Sequence, residues 1–366
     1  MITAKALKVK EVSQVTSDKV NFIAVKHDTV TYDNVSRDVI KEITWQEALA
    51  SAIRDPLELL SLLELDEDKF IKQLHYPEKF KLLVPLSYIA KMKKGDWNDP
   101  LLKQVLPVKD ETESIAGFIA DPVGDLDSVI SSGVLQKYHG RVLLITTGAC
   151  AVHCRYCFRR HFPYANSMPD KAKWQETLLA IRNDSSIHEV ILSGGDPLMI
   201  PNNRLQAMCA DLVEIPHVKT LRFHTRIPLF LPERINAEFL SWLKKLSVQK
   251  VMVIHSNHEN EIDQRVGYIL ASLHEVGVTL LNQSVLLKGI NNSVKALAEL
   301  SHRLFEFKVL PYYLHQLDRV DGAAHFEVDR AEAICLLNDL KTVLPGYLIP
   351  KLVEEVSGER SKRAIE

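Results

Sequence analysis

RVLLITT at residues 141–147 is the first of six short, β-rich runs that set the architecture of this chain. HEVILSGG (188–195), KTLRFHT (219–225), KVMVIHS (250–256), TLLNQSVLL (279–287) and VLPYYLH (309–315) follow it in order. Between and after them stand helical stretches: KAKWQETLLAIRN (171–183), NNRLQAMCADLVEI (202–215), PERINAEFLSWLKKL (232–246), EIDQRVGYILASLHEVG (261–277), SVKALAELSHRLFEF (293–307) and DRAEAICLLNDLKTVL (329–344). A helix between two strands is the crossover that returns the chain, so six such units predict a parallel sheet. The strands are nearly continuous in apolar residues, as expected for a sheet covered on its faces. The expected fold is α/β, a partial (β/α)6 TIM-like barrel, with a doubly wound open sheet as the alternative.

In such folds chemistry sits at the C-terminal ends of the strands. Cys150 follows the first strand, Gly194-Gly195-Asp196 end the second, and His224-Thr225-Arg226 end the third. His255 to His258 follow the fourth, Asn282-Gln283 lie in the fifth, and His315 to Asp318 follow the sixth. Polar residues thus gather on one rim.

Upstream the text differs. Residues 1–40 lack periodicity and read as a loosely ordered lead-in. WQEALASAI (45–53), DPLELLSLLEL (55–65) and DEDKFIKQL (66–74) read as helices of an N-terminal helical region over 41–135. KGDWNDPLLKQVLP (94–107) reads as loop and short helix. The barrel itself is assigned to 136–345 and a short terminal segment to 346–366.

The 366 residues carry a formal net charge of −2, which speaks against a nucleic-acid-coating surface or a polybasic membrane anchor. No apolar run approaches the roughly 20 residues that span a bilayer. MITAKALKVKEVSQ lacks the apolar core of a secretory signal, so the cytoplasm is the expected location. Five cysteines, three of them within eight residues, do not fit a secreted disulfide framework. Cys209 and Cys335 stand in apolar helical text and read as small buried hydrophobes.

Cys150, Cys154 and Cys157 form a C-x3-C-x2-C loop after the first strand. Three thiolates can hold three irons of a [4Fe–4S] cube, leaving the fourth iron open to bind a small molecule. A zinc site completed by His153 is the rival reading, although four ligands within eight residues would be cramped.

The spacing, with an aromatic before the last cysteine, resembles the radical S-adenosylmethionine superfamily. CRYCFRRHFPY, SGGDPLM, LNQSVLL, LPYYLH and GAAHF, in that order, resemble the lysine 2,3-aminomutase family over residues 40 to 366. The likeness is greatest to the bacterial branch that makes (R)-β-lysine for modifying translation elongation factor P. The resemblance implies a [4Fe–4S] cluster on the three cysteines and S-adenosylmethionine as source of a 5′-deoxyadenosyl radical. It implies pyridoxal 5′-phosphate as electron sink during migration of the amino group of L-lysine. It implies contact of Gly194, Gly195 and Asp196 with the methionine amino group.

GYLIPKLVEEVSGERSK (346–362) matches the family's terminal strand and loop, which makes Lys362 the pyridoxal lysine, although Arg363-Ala364 replace the usual Thr-Pro. Arg141 matches the arginine that contacts the cofactor phosphate, with Lys137 a second basic position. Arg159 matches the arginine that binds the substrate carboxylate. Asp318 and Glu355 match the acidic pair that receives the substrate's far ammonium, and Glu355 is Asp in the clostridial enzymes. His315 stands where those relatives carry Tyr. The implied partners are L-lysine, an electron donor, and the ligase that attaches β-lysine to elongation factor P. A homo-oligomer is compatible with the family. The alternatives are an aminomutase for glutamate or arginine, and a non-catalytic metal-binding module.

Overall fold

The computed structural model describes residues 43–66, 71–77, 80–131, 133–164 and 171–366. The lead-in read over 1–40 lies outside the described residues. Residues Trp45–Glu366 form one compact unit.

Ten strands lie in one sheet in sequence order: β1 (Val129–Ser131), β2 (Val134–Leu135), β3 (Arg141–Thr147), β4 (Glu189–Gly194), β5 (Thr220–Thr225), β6 (Gln249–Ile254), β7 (Val278–Val285), β8 (Val309–His315), β9 (Lys351–Glu354) and β10 (Arg363–Ala364). From β3 to β9 every neighbouring pair is parallel. Crossovers of this kind are right-handed. When each strand is also laid down beside its predecessor, every helix falls on the same face and the other face lines an interior. A doubly wound sheet needs a reversal of strand order; there is none here. The sheet ends at β1 and β10, which are not paired with each other, so the barrel is partial.

The N-terminal helices are short: α1 (Trp45–Ala50), α2 (Pro56–Leu62) and α3 (Leu86–Ile89). Asp55 caps α2 by accepting from the Leu57 amide at 3.0 Å, with Pro56 at the first helical position. The helix expected over 66–74 is not formed where it is described. Residues 71–73 are turn, and Leu74 bridges to Val108; pairing with a distant segment displaces local helix propensity there.

The crossovers are α4 (Lys171–Asn183), α5 (Asn202–Val213), α6 (Ile227–Phe230), α7 (Ala237–Lys245), α8 (Gln264–Glu275), α9 (Val294–Glu306) and α10 (Arg330–Val343). Their starts are written locally. Asn236, Asp263, Ser293 and Asp329 each accept a backbone N–H from the first turn of α7, α8, α9 and α10. On α9, Leu297, Leu300 and Leu304 recur at helical spacing and are buried. On α10 the inward positions are Ala333, Leu337 and Leu340. Cys335 falls on the opposite side and is exposed, contrary to the sequence expectation, whereas Cys209 is buried as expected.

Candidate active site at the strand ends

The cysteine loop leaves β3 and is fastened from two sides before any ligand is considered. On one side is the N-terminal region. Arg155, with no exposed surface, donates to Glu111, to the Phe80 carbonyl at 2.7 Å and, through its amide, to the Gln104 carbonyl at 2.8 Å. Arg160 meets the same Glu111 at 2.7 Å. The two guanidiniums hold the Glu111 carboxyl below the usual carboxylate range, against the effect of burial. His153 bonds the Lys81 carbonyl through Nδ1 at 2.6 Å and stacks on Phe80 at 4.8 Å. These contacts fix the ring, and with the thiols it forms no group of three or more side chains that could hold a single metal ion among the described residues.

On the other side is the turn after β4. The Gly195 amide donates to the Thr147 carbonyl at 2.7 Å, and the Asp196 amide to the Ala149 carbonyl at 2.9 Å. The approach demands glycine. A Cβ on Gly194, whose φ is +116°, would lie 2.5 Å from the Thr147 oxygen, and one on Gly195 2.4 Å from that of Ala149. The Asp196 carboxylate accepts from the Leu198 amide, the Arg226 amide and the Thr225 hydroxyl. Burial nevertheless raises it to about 6. Asp196 therefore ties the end of β4 to the end of β5.

All eleven residues expected at the site line one cavity of about 460 Å³: Arg141, Cys150, Cys154, Cys157, Arg159, Gly194, Gly195, Asp196, Asp318, Glu355 and Lys362. Lys137, His224, His255 and His315 join them, and His258 does not.

The three cysteines of the loop are half-buried on the cavity wall. Burial pushes Cys157 up to about 11, with Cys154 the next cause, and raises Cys150 well above its ordinary value, with Cys157 and Asp196 adding to it. Among the described residues, no three His, Cys, Asp or Glu side chains converge on one single-ion position. Thiolates that each bind a different iron of a cube need no such convergence. Buried thiols become thiolates on binding a metal centre. Arg226 supplies a donor here, with Nη1 at 2.8 Å from the Cys154 sulfur. This donor set fits an iron–sulfur cluster better than zinc.

Lys362 lines the same cavity. The β9–β10 hairpin pairs Arg363 with Glu354 and Ala364 with Val353, which sets Lys362 opposite Glu355. Their side chains form an ion pair. Glu355 also accepts from the Tyr138 hydroxyl at 2.6 Å and lies 3.7 Å from Lys137. Lys137 reaches Asp125 at 2.8 Å, and Asp125 pairs with Arg159 Nε at 2.7 Å. Arg159 Nη1 donates to Ser193 at 3.2 Å, leaving Nη2 committed to neither partner. Asp318 makes no side-chain hydrogen bond or ion pair among the described residues. Burial pushes it up to about 7, with Lys362 pulling it down and Glu355 pushing it further up.

The side wall is neutral and polar. His224, His255 and His315 each have a buried Nε2 that is unpartnered among the described residues. Burial lowers all three, His255 to about 3, so they are uncharged imidazoles facing the cavity. Arg141, with Nε also unpartnered, packs on Tyr138 with its guanidinium 4.9 Å from the ring centroid. Unsatisfied buried donors facing a cavity, beside an ion-paired lysine, fit an anionic, ring-bearing cofactor such as pyridoxal phosphate.

Sequence reading overlooked Asp125, Tyr138 and the Gln104–Tyr156–Asn257–Glu261 group that surrounds Arg226. Asp125 sits in the loop DPVGDLD, which carries no periodic signal, and the others are long-range partners. Only Arg226 had a signal, its place on the rim.

Residues 144–300 match the model of the radical SAM superfamily. The chain is 45% identical to L-lysine 2,3-aminomutase of Escherichia coli (strain K12), an alignment that covers 92% of this chain and 97% of that protein. It is 45% identical to the L-lysine 2,3-aminomutase of Haemophilus influenzae over 88% of this chain and 95% of the relative. Against the L-lysine 2,3-aminomutase of Clostridium subterminale identity is 32%, over 88% and 77%.

Proposed function

The chain belongs to the L-lysine 2,3-aminomutase family, and from that premise we propose that it converts L-lysine to (R)-β-lysine. The observation that carries the reading is one cavity lined both by the three half-buried cysteines and by Lys362, Glu355 and Asp318. When bound, the cluster and S-adenosylmethionine supply a 5′-deoxyadenosyl radical, and pyridoxal phosphate supplies the electron sink for nitrogen migration.

The residues of the chain hold and orient. Cys150, Cys154 and Cys157 would ligate three irons. Gly194 and Gly195 keep the backbone flat beside the cysteine loop, where S-adenosylmethionine would lie, and Asp196 holds that turn in place. Lys362 would carry pyridoxal phosphate on Nζ, with Arg141 at its phosphate and Lys137 as a second cation nearby. Arg159 Nη2 is the donor that remains for the substrate carboxylate. Asp318 is unpaired among the described residues and would accept the substrate ammonium, with Glu355 also on the cavity wall. Holding the reacting groups in one cavity brings them close and limits the access of water to radicals.

Two acidic side chains on the cavity wall, Asp318 and Glu355, favour a substrate with a cationic tail, which argues against glutamate. Lysine and arginine remain to be separated by measurement. The reconstituted enzyme is incubated anaerobically with L-lysine, L-arginine and L-glutamate together, and the β-amino acids are resolved. β-Lysine alone is expected; a different β-amino acid without β-lysine would overturn the lysine assignment.

We also propose that the product serves modification of elongation factor P through a ligase, that a low-potential donor reduces the cluster, and that the enzyme works in the cytoplasm. Among the described residues no helix is long and apolar enough to cross a membrane. Support for the elongation-factor link comes from the sequence motifs of that bacterial branch.

A further inference from the structure

Behind the cysteine loop lies a buried charge network that the proposed reaction does not use. Arg226 follows β5, and its backbone amide is fixed by Asp196 at 2.8 Å. Its Nη1 donates to the Cys154 sulfur at 2.8 Å and to the Tyr156 hydroxyl. Its Nη2 donates to Glu261 at 2.6 Å and to Gln104 at 3.1 Å. The guanidinium packs 4.4 Å from the centroid of the Phe230 ring. Glu261 has no exposed surface, and its second oxygen accepts from the Asn257 amide at 2.8 Å, the His258 amide at 3.1 Å and Gln104 Nε2 at 3.2 Å. Asn257 in turn donates to the Tyr156 hydroxyl at 2.7 Å. Arginine is thus held at one cysteine sulfur by a shell of fixed partners, and its charge is balanced by one carboxylate.

We propose that Arg226 is a positioning residue that sets the reduction potential of the cluster through its hydrogen bond to Cys154, and that Glu261 limits how much of its charge the cluster feels. The inference rests on the proposed [4Fe–4S] assignment of the three cysteines. Reduction adds one electron, delivered by a low-potential one-electron donor such as dithionite, and leaves the cluster and its thiolates one unit more negative. A cation and N–H donor on a ligand sulfur stabilise that form more than the oxidised one, and hydrogen bonds to cluster sulfurs are a recognised lever on potential. In a buried site with little screening the effect is large. Removing the donor should lower the potential; removing its counter-ion should raise it.

The test is an EPR-monitored redox titration of the full-length, anaerobically reconstituted protein without S-adenosylmethionine, with iron and sulfide measured on each sample. Arg226→Gln should shift the ratio of reduced to oxidised cluster about tenfold toward oxidised at a fixed potential, equivalent to about 59 mV for a one-electron couple. Glu261→Gln, which keeps the Arg226–Cys154 contact, should shift the ratio in the opposite direction. A merely structural role would change iron content and leave the potential of the assembled fraction alone. Changes of less than about twofold in both variants, or shifts of the same sign, overturn the proposal. If Arg226→Gln holds no iron, the sign of the Glu261→Gln shift decides. Failure of the unmodified chain to assemble a cluster would instead refute the iron–sulfur assignment itself.

Discussion

Asp318→Asn should make the fold more stable and the enzyme weaker. Asp318 lines the cavity with no side-chain hydrogen-bonding or ionic partner among the described residues, and burial pushes its carboxyl up to about 7. In the unfolded chain an aspartate titrates near 3.9. Between those two values the native state holds a proton that the unfolded chain has released, so stability falls as pH rises through this window. Above about pH 7 the ionised carboxylate is a standing cost, bounded by about 4 kcal/mol for a shift of this size. Solvent in the cavity screens part of it, so about 1–2 kcal/mol is the working figure. The isosteric amide removes the cost. In the cofactor-free chain at pH 8, Asp318→Asn should raise Tm by on the order of 2–4 °C, and near pH 4 the difference should vanish. Catalysis should move the other way. An ionised Asp318 is the proposed partner of the substrate ammonium, so the variant should raise KM for lysine at least about tenfold, with a smaller change in kcat. In the unaltered enzyme KM should fall about tenfold from pH 6 to pH 8 as Asp318 ionises, and in the variant this dependence should be flat. Thermal scans across pH and steady-state kinetics under anaerobic conditions read both effects. A variant that is destabilised at pH 8, or that binds lysine as well as the parent, would refute the reasoning.

Lys362→Ala should abolish borohydride trapping of pyridoxal on the protein while leaving iron content and reductive cleavage of S-adenosylmethionine intact, as peptide mapping and product analysis would show. Gly195→Ala places a methyl 2.4 Å from the Ala149 oxygen, so it should cost about 2–4 kcal/mol in urea unfolding and lower iron retention. Glu111→Gln strips the shared counter-ion from Arg155 and Arg160, and should cost about 3 kcal/mol or more. Because those arginines depress Glu111, the stability it confers is present above the usual carboxylate range and is lost as pH falls through its folded value, which denaturation at pH 3 to 6 would reveal.

The barrel could be read from the chain because its signals are local. Each of the six runs became β3 to β8 within a residue or two, and the intervening helices carry their own caps at Asn236, Asp263, Ser293 and Asp329. Strand order is a long-range property, so the doubly wound alternative yielded only to the unbroken succession of parallel pairs. The helix expected at 66–74 failed for the same reason, because the Leu74–Val108 bridge lies beyond any local window. The cysteine spacing was legible as chemistry. Lys362 was not, and only family resemblance lifted it out of a charged terminus; the hairpin register explains why it faces Glu355. Asp125 and Glu261 left no trace in the text, since their importance comes from burial beside Arg159 and Arg226.

The most direct test of the account is production of β-lysine by the anaerobically reconstituted, dithionite-reduced protein supplied with L-lysine. The account predicts β-lysine only when S-adenosylmethionine and pyridoxal phosphate are both present, with no net consumption of S-adenosylmethionine. A protein that holds a single zinc ion, or one with a full iron–sulfur cluster that leaves L-lysine unchanged under these conditions, would contradict it.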